Sequence, residues 1–219
     1  MSTDLMGWTQ PPFPPRNTIE GQWCRLEPLS AAKHTPDLWR HIAGHDHLWE
    51  YLFQAPPKSE AEYREMLAGF EARTDIVPLA IIDKADGEAK GHLWIMVIRP
   101  VHGVFEVGSI LYAPAMQRTR LATEAIFLVG QYGFDLGYRR YEWKCNNRNE
   151  PSKRSAVRFG YIFEGLFRQH MLIKGKSRDT AWYSIIDSEW PDRKARFETW
   201  LKPENFGPDG QQKRRLDAC

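Results

Sequence analysis

Cysteine is scarce in this chain: Cys24, Cys145 and Cys219 are the three in 219 residues, with no C-x-x-C pair and no zinc-ligand spacing. That excludes a disulfide scaffold and a cysteine metal site, and it favours a reducing compartment. Cys145 alternates within an apolar strand pattern and reads as a small buried hydrophobe. Excess charge is equally scant. The net charge of +2 is too small to draw nucleic acid or a membrane surface. Long apolar runs are missing as well: the longest, Leu93 to Ile98, falls far short of the roughly 20 residues that cross a bilayer. Met1 to Gly21 holds no basic segment followed by an apolar run, so no secretory signal is expected. His41, His45 and His47 have Asp46 among them but no remote ligand set, so no metal site is expected. These absences leave a cytoplasmic protein with no nucleic-acid, membrane or metal partner as the expectation.

What is present is ordinary globular material. Hydrophobic residues make up 42% and charged residues 26%, enough for one sizeable core. Residues 1–21, with Pro11, Pro12, Pro14 and Pro15, read as an extended arm that either lies on the domain or stays mobile. Residues 22–187 carry the regular patterns of a single domain. Residues 188–219 add a helix and a polar tail in which Lys213, Arg214 and Arg215 are expected to be solvated.

The patterns inside the domain are distinct. A strand fits Gln22 to Leu29, a helix fits residues 31–43, and Ser59 caps a second helix whose stripe is Tyr63, Met66, Leu67 and Phe70. Strands are expected at Val77–Ile82, Gly91–Ile98 and Val104–Tyr112, the first two joined by an Asp86-Gly87 turn. The period then changes: Leu121, Ala125, Leu128, Tyr132 and Leu136 mark one long helix, followed by a strand at Arg140–Cys145. That passage is a strand–helix–strand unit with parallel neighbours. A short helix (Pro151–Phe159), strands at Ile162–Ile173 and Thr180–Ile186 around a turn at 175–179, and a last helix from Pro191 to Leu201 complete the chain. The expected class is α+β (mixed α/β), a mixed and mostly antiparallel sheet with helices on both faces.

The junction from Tyr112 to Ala125 is the strongest local signal. A strand ends, Pro114 breaks the pairing, and a long helix begins. The unpaired N–H groups of a helix start accept an anion. Arg118 and Arg120 add positive charge there, and Thr119 and Thr123 add hydroxyl donors, so a diphosphate fits. The same polar start also fits a merely solvated helix end.

The string Gln117-Arg118-Thr119-Arg120-Leu121-Ala122-Thr123-Glu124-Ala125 resembles the acyl-CoA pyrophosphate loop, Q/R-x-x-G-x-G/A, of the GNAT N-acetyltransferases. It is most similar to the ribosomal-protein (RimJ/RimL) branch, where A-T-E-A often follows. Glu106-Val107-Gly108 resembles the E-I-G of that branch. Asn149-Glu150-Pro151-Ser152 with Arg158-Phe159-Gly160-Tyr161 resembles its N-x-x-S…K-x-G-F, and Glu164-Gly165 with Arg168 its E-G-x-x-R. Order and spacing agree over roughly residues 22–187. One departure stands out: Arg120 replaces the middle glycine, so its side chain must either turn away from the pyrophosphate or contact it.

The resemblance implies acetyl-CoA as co-substrate and direct attack of a primary amine on the thioester. It implies that the backbone of Ile110, Leu111 and Tyr112 holds the pantetheine arm and that Gln117 to Thr123 hold the pyrophosphate, with Asn149 beside the coenzyme. Glu106 is the expected base; with Gly108, Ile110 and Tyr112 it alternates onto one strand face. Ser152 matches a serine near the sulfur and is the expected acid, although Ser152 or Asn149 also suits a helix cap. His170 is a second candidate base; Met171 stands where that branch places a glutamate. The aromatic residues Trp39, Trp49, Tyr51, Phe53, Trp94, Trp143 and Trp182 read as core or pocket wall. The acceptor pocket is expected from residues 39–57 and 165–182. The acceptor is a protein N-terminus or a small amine, and a homodimer is compatible with the family. The alternative is a non-catalytic acyl-CoA-binding or regulatory module of the same fold.

Overall fold

The protein is described from a computed structural model that covers residues 5–219; residues 1–4 of the expected arm lie outside the described residues. Eight strands, β1 (Ile19–Glu20), β2 (Cys24–Pro28), β3 (Val77–Asp83), β4 (Ala89–Arg99), β5 (Val104–Tyr112), β6 (Arg140–Asn146), β7 (Ile162–Ile173) and β8 (Lys176–Ile186), form one sheet. Its order is β1-β2-β3-β4-β5-β6-β8-β7. Every neighbouring pair is antiparallel except β5 and β6. Those two are joined by the crossover helix α3 (Arg120–Asp135), as parallel neighbours require. The expected mixed sheet is therefore the observed one.

Helices cover both faces. On one side α1 (Ala31–Ile42) and α2 (Glu60–Glu71) bury Leu38, Ile42, Tyr63 and Leu67 against Ala80, Ile82, Trp94 and Leu111. On the other, α3 and α5 (Trp190–Leu201) bury Ala125, Val129, Trp190 and Phe197 against Leu79, Phe105, Val107 and Tyr141. Gly133 lets α3 approach the sheet closely, since a β-carbon there would lie 2.1 Å from the Phe105 ring. The caps follow the sequence: Ser30, Ser59 and Thr119 each accept from a backbone N–H in the first turn of α1, α2 and α3. The short helix α4 (Glu150–Arg158) is capped by Asn149, which accepts from Ser152 N at 3.1 Å.

The proline-rich arm takes one of its two expected courses, and one turn differs from expectation. The proline-rich stretch lies on the domain: Tyr132 and Tyr138 donate hydroxyls to Pro15 O at 2.7 Å and Pro12 O at 3.1 Å, and Ile19–Glu20 joins the sheet. The hairpin turn expected at 175–179 is shorter. Lys174 and Gly175 carry positive φ of 49° and 73°, and β8 starts at Lys176. Two successive residues in that region make the tight turn whose twist matches the strands. Arg178 consequently belongs to the strand and is 8% exposed. Among the described residues no helix is long and apolar enough to cross a membrane, and no three metal-ligating side chains cluster.

Candidate active site

β5 and β6 stay paired for three residues only: Val104 with Arg140, Phe105 with Tyr141 and Glu106 with Glu142. Beyond them β6 follows β8 as far as Asn146 opposite Thr180, and β5 follows β4 as far as Tyr112 opposite Gly91. The strands thus part after Glu106, and Val107–Tyr112 keep one edge without a strand partner. An open sheet edge is suited to an extended chain that carries amide groups.

A bulge in β5 lies next to this opening. The register with β4 shifts between His92 and Trp94, and Ser109 takes a φ of 48°. His92 faces the Ser109 carbonyl at 3.2 Å through Nδ1, which must carry the hydrogen because a carbonyl only accepts. Burial lowers the His92 pKa to about 3, so the ring is neutral and holds the bulge as a hydrogen-bond donor. The bulge also corrects the expected alternation. Phe105 and Val107 face the α3 layer, and after the extra residue Ile110 and Tyr112 face it too, whereas Leu111 turns to the α1–α2 layer. Ile110 and Tyr112 therefore do not share the face of Glu106. Tyr112 runs beneath α3 and donates its hydroxyl to Ala122 O at 3.2 Å.

Glu106 stands where the strands separate, 5% exposed. Lys144 Nζ lies 2.6 Å from its Oε2, 3.4 Å from Glu142 Oε2 and 4.0 Å from the centre of the Trp182 ring. Glu142 is held separately by Arg140 at 2.8 Å and by Arg99 at 3.4 Å. Burial pushes the Glu106 pKa up to about 7; Lys144 works against the rise, Glu142 adds to it and Arg178 opposes it. A carboxyl that titrates near neutrality at the bottom of an opening can act as a general base.

At the mouth of the opening, the loop before α3 folds differently from its expected roles. Arg118 has a φ of 61° and is exposed, whereas Arg120 is the first helical residue and turns back. Its guanidinium lies 3.6 Å from the centre of the Trp23 ring and 5.4 Å from that of Phe206. The missing glycine is thereby explained, because Arg120 adopts helical backbone and its side chain leaves the helix end. The two threonines use their hydroxyls internally: Thr119 donates to Met116 O at 2.6 Å and Thr123 to Thr119 O at 3.4 Å. Thr123 also accepts from Arg158 at 3.1 Å. The backbone N–H groups of Arg118, Arg120 and Leu121 have no partner among the described residues, an arrangement of donors that suits an anion. Gln117 fastens the loop by donating to Tyr112 O at 3.3 Å. Leu121 and Ala122 are buried in the α3 layer and offer backbone only.

The remaining candidates fall around the opening. Ser152 Oγ accepts from the Trp143 indole at 3.0 Å, which leaves its own hydrogen free to be donated; Asn149, not Ser152, is the cap. His170 is exposed on β7 and bonds Thr180 Oγ at 3.0 Å, between the Phe167 and Trp182 rings. Lys144, His92 and Arg178 were missed by sequence reasoning. The alternation of β6 placed Lys144 beside Glu142 on one face, but the partner across the splayed seam left no mark in the sequence. A small cavity of about 10 Å³ adjoins the bulge, lined by Trp49, Leu52, Gln54, Met66, His92 and Ser109 among others, so residues 49–54 do reach this side of the sheet.

Residues 24–162 match the family described as the acetyltransferase (GNAT) domain. A GCN5-related N-acetyltransferase from Brucella melitensis is 48% identical, with 97% of this chain and 98% of that one covered and a TM-score of 0.95. A probable acetyltransferase of the GNAT family from Chromobacterium violaceum is 39% identical over 87% of this chain and 96% of its own, with a TM-score of 0.83. The uncharacterized N-acetyltransferase YoaA of Bacillus subtilis is 38% identical over 74 residues; the shared stretch spans 33% of this chain and 42% of that relative.

Proposed function

The chain belongs to the GNAT acetyltransferase family, and from that premise we propose that it transfers an acetyl group from acetyl-CoA to a primary amine by direct attack. The observation that carries the proposal is the seam that opens after Glu106, with a buried carboxyl at its base and unpartnered N–H groups at its mouth. The residues present suit the coenzyme. The free edge of Val107–Tyr112 offers backbone groups to the amides of a pantetheine arm, and the Arg118–Leu121 segment offers donors and the Arg118 charge to the diphosphate. Acetyl-CoA brings an activated thioester.

The protein's part is to position and to move protons. Glu106, ionised above pH of about 7, takes the proton from the acceptor ammonium directly or through one water. Ser152, oriented by the Trp143 indole, gives its proton to the departing sulfur. His170 binds at the acceptor side rather than serving as the base, since it is exposed and tied to Thr180. The motif agreement with the ribosomal-protein branch supports a primary amine as acceptor. The three free cysteines support work in a reducing cytoplasm.

The test is steady-state acetyl transfer, followed by release of the CoA thiol, with Glu106→Gln and Ser152→Ala. Glu106→Gln is expected to lower kcat by about 10²–10⁴ while coenzyme affinity is unchanged. Full turnover by that variant would sink the base assignment. An absence of thiol release across a broad amine panel, with coenzyme bound, would favour the non-catalytic module.

A further inference from the structure

Arg178 is 8% exposed, yet among the described residues no carboxylate lies within 4.0 Å of it and no hydrogen bond reaches its side chain. Its Nε is buried without a partner. Its guanidinium stands 5.3 Å from the centre of the Phe53 ring, which supplies some attraction but no counter-charge. A largely buried cation with no anion beside it and one donor without an acceptor is costly, and burial accordingly opposes its charge. The position is specific. Arg178 shares its strand face with Thr180 and Trp182, the residues that hold His170 and carry Lys144. Its charge also acts on Glu106.

We propose that Arg178 is the carboxylate subsite of the acceptor pocket, so that the acceptor is a small amino carboxylate, an amino acid, and not a protein N-terminus. The proposal rests on the acetyl-transfer reading above and adds the class of substrate. The planar guanidinium matches a carboxylate with two parallel hydrogen bonds, and Nε is one of the donors such a fork uses. Charge balance selects a monoanion. Lys144 is already shared by Glu106 and Glu142, so on this strand face Arg178 is the cation without a carboxylate partner among the described residues, and a dianionic phosphate would leave charge uncompensated beside Glu106. Phe53, Phe167 and Trp182 favour an acceptor with an apolar body. Two ends of the acceptor are then fixed, the amine toward Glu106 and the carboxylate toward Arg178. A protein N-terminal residue has no free α-carboxylate, because that group is taken up in the peptide bond.

The test is calorimetric titration of the whole protein, with and without CoA. The probes are a panel of apolar and aromatic amino acids, each paired with its α-amide, and a peptide with a free N-terminus and amidated C-terminus. Wild type, Arg178→Gln and Arg178→Lys are compared, with circular dichroism to establish that each variant is folded. At least one free acid is expected to bind about 10–100-fold more tightly than its amide. Arg178→Gln should bring that ratio to about 1 and Arg178→Lys should restore part of it, with acetyl-CoA affinity unchanged in both. Equal binding of acid and amide throughout the panel, a ratio untouched by Arg178→Gln, or tighter binding of the amidated peptide overturns the proposal. A purely structural arginine would weaken acid and amide equally. Loss of acetyl-CoA binding alongside a retained acid preference would contradict the acetyl-transfer reading and leave the subsite standing.

Discussion

At the scale of single residues the proposed base is Glu106, on which burial and an ion pair act in opposite directions. Burial prevails and the pKa stands near 7. Log kcat/KM is therefore expected to rise with unit slope below pH of about 7 and to level off above it, and Glu106→Gln should abolish that limb. The same shift affects stability. The folded protein binds a proton on Glu106 up to about pH 7, whereas an unfolded glutamate releases it near 4.5. Between those values the folded state holds more protons, so the Glu106 contribution falls as pH rises through the window and is flat above it. Urea midpoints at about pH 5 and pH 8 should differ less in Glu106→Gln than in wild type. The two loop arginines separate in the same way. Arg120→Ala loses its stacking on Trp23 and should cost about 0.5–1 kcal/mol with coenzyme affinity close to wild type. Arg118→Glu should leave stability nearly unchanged and weaken coenzyme binding, read by titration. At this scale the sequence was only partly legible. The type and position of Glu106 stood out in an apolar strand, but Lys144 and Arg178 come from strands whose neighbours depend on tertiary pairing.

At the scale of elements, helix and strand boundaries were readable because apolar periodicity, caps and turn residues agree locally. The long helix after Tyr112 and the strand after it implied the one parallel pair. The bulge was not readable. Ser109 carries no glycine-like signal for its positive φ, and a single extra residue reverses the face of all that follows. That is why Ile110 and Tyr112 were assigned to the wrong side. The link between α3 and the β1–β2 turn was equally hidden. Glu124, 2% exposed, accepts from the backbone N–H groups of Gln22, Trp23 and Cys24 at 2.7, 2.7 and 2.6 Å. One carboxylate thus secures the sheet edge to the N-terminal part of α3, the helix whose start is the proposed anion site. Glu124→Gln should destabilise the fold by about 2–4 kcal/mol, since a charged acceptor of buried donors is lost. The measurement is the shift in urea midpoint.

At the scale of the whole molecule, the fold class followed from element order, and the resemblance agreed with it independently. The site arises from two strands that begin together and then separate, which a linear pattern cannot display. Binding there should be visible globally. At a coenzyme concentration about 100 times Kd, linkage adds about 2.7 kcal/mol, which for a domain of this size raises Tm by roughly 5–10 °C. Differential scanning calorimetry with acetyl-CoA should show this shift, and it should shrink in Arg118→Glu. The most direct test of the central claim, that the seam between β5 and β6 receives acetyl-CoA with its diphosphate at the start of α3, is isothermal titration of the protein with acetyl-CoA. One-to-one, sub-millimolar binding that is lost in Arg118→Glu and kept in Glu106→Gln is the predicted result. No binding, or binding indifferent to Arg118→Glu, would contradict the account.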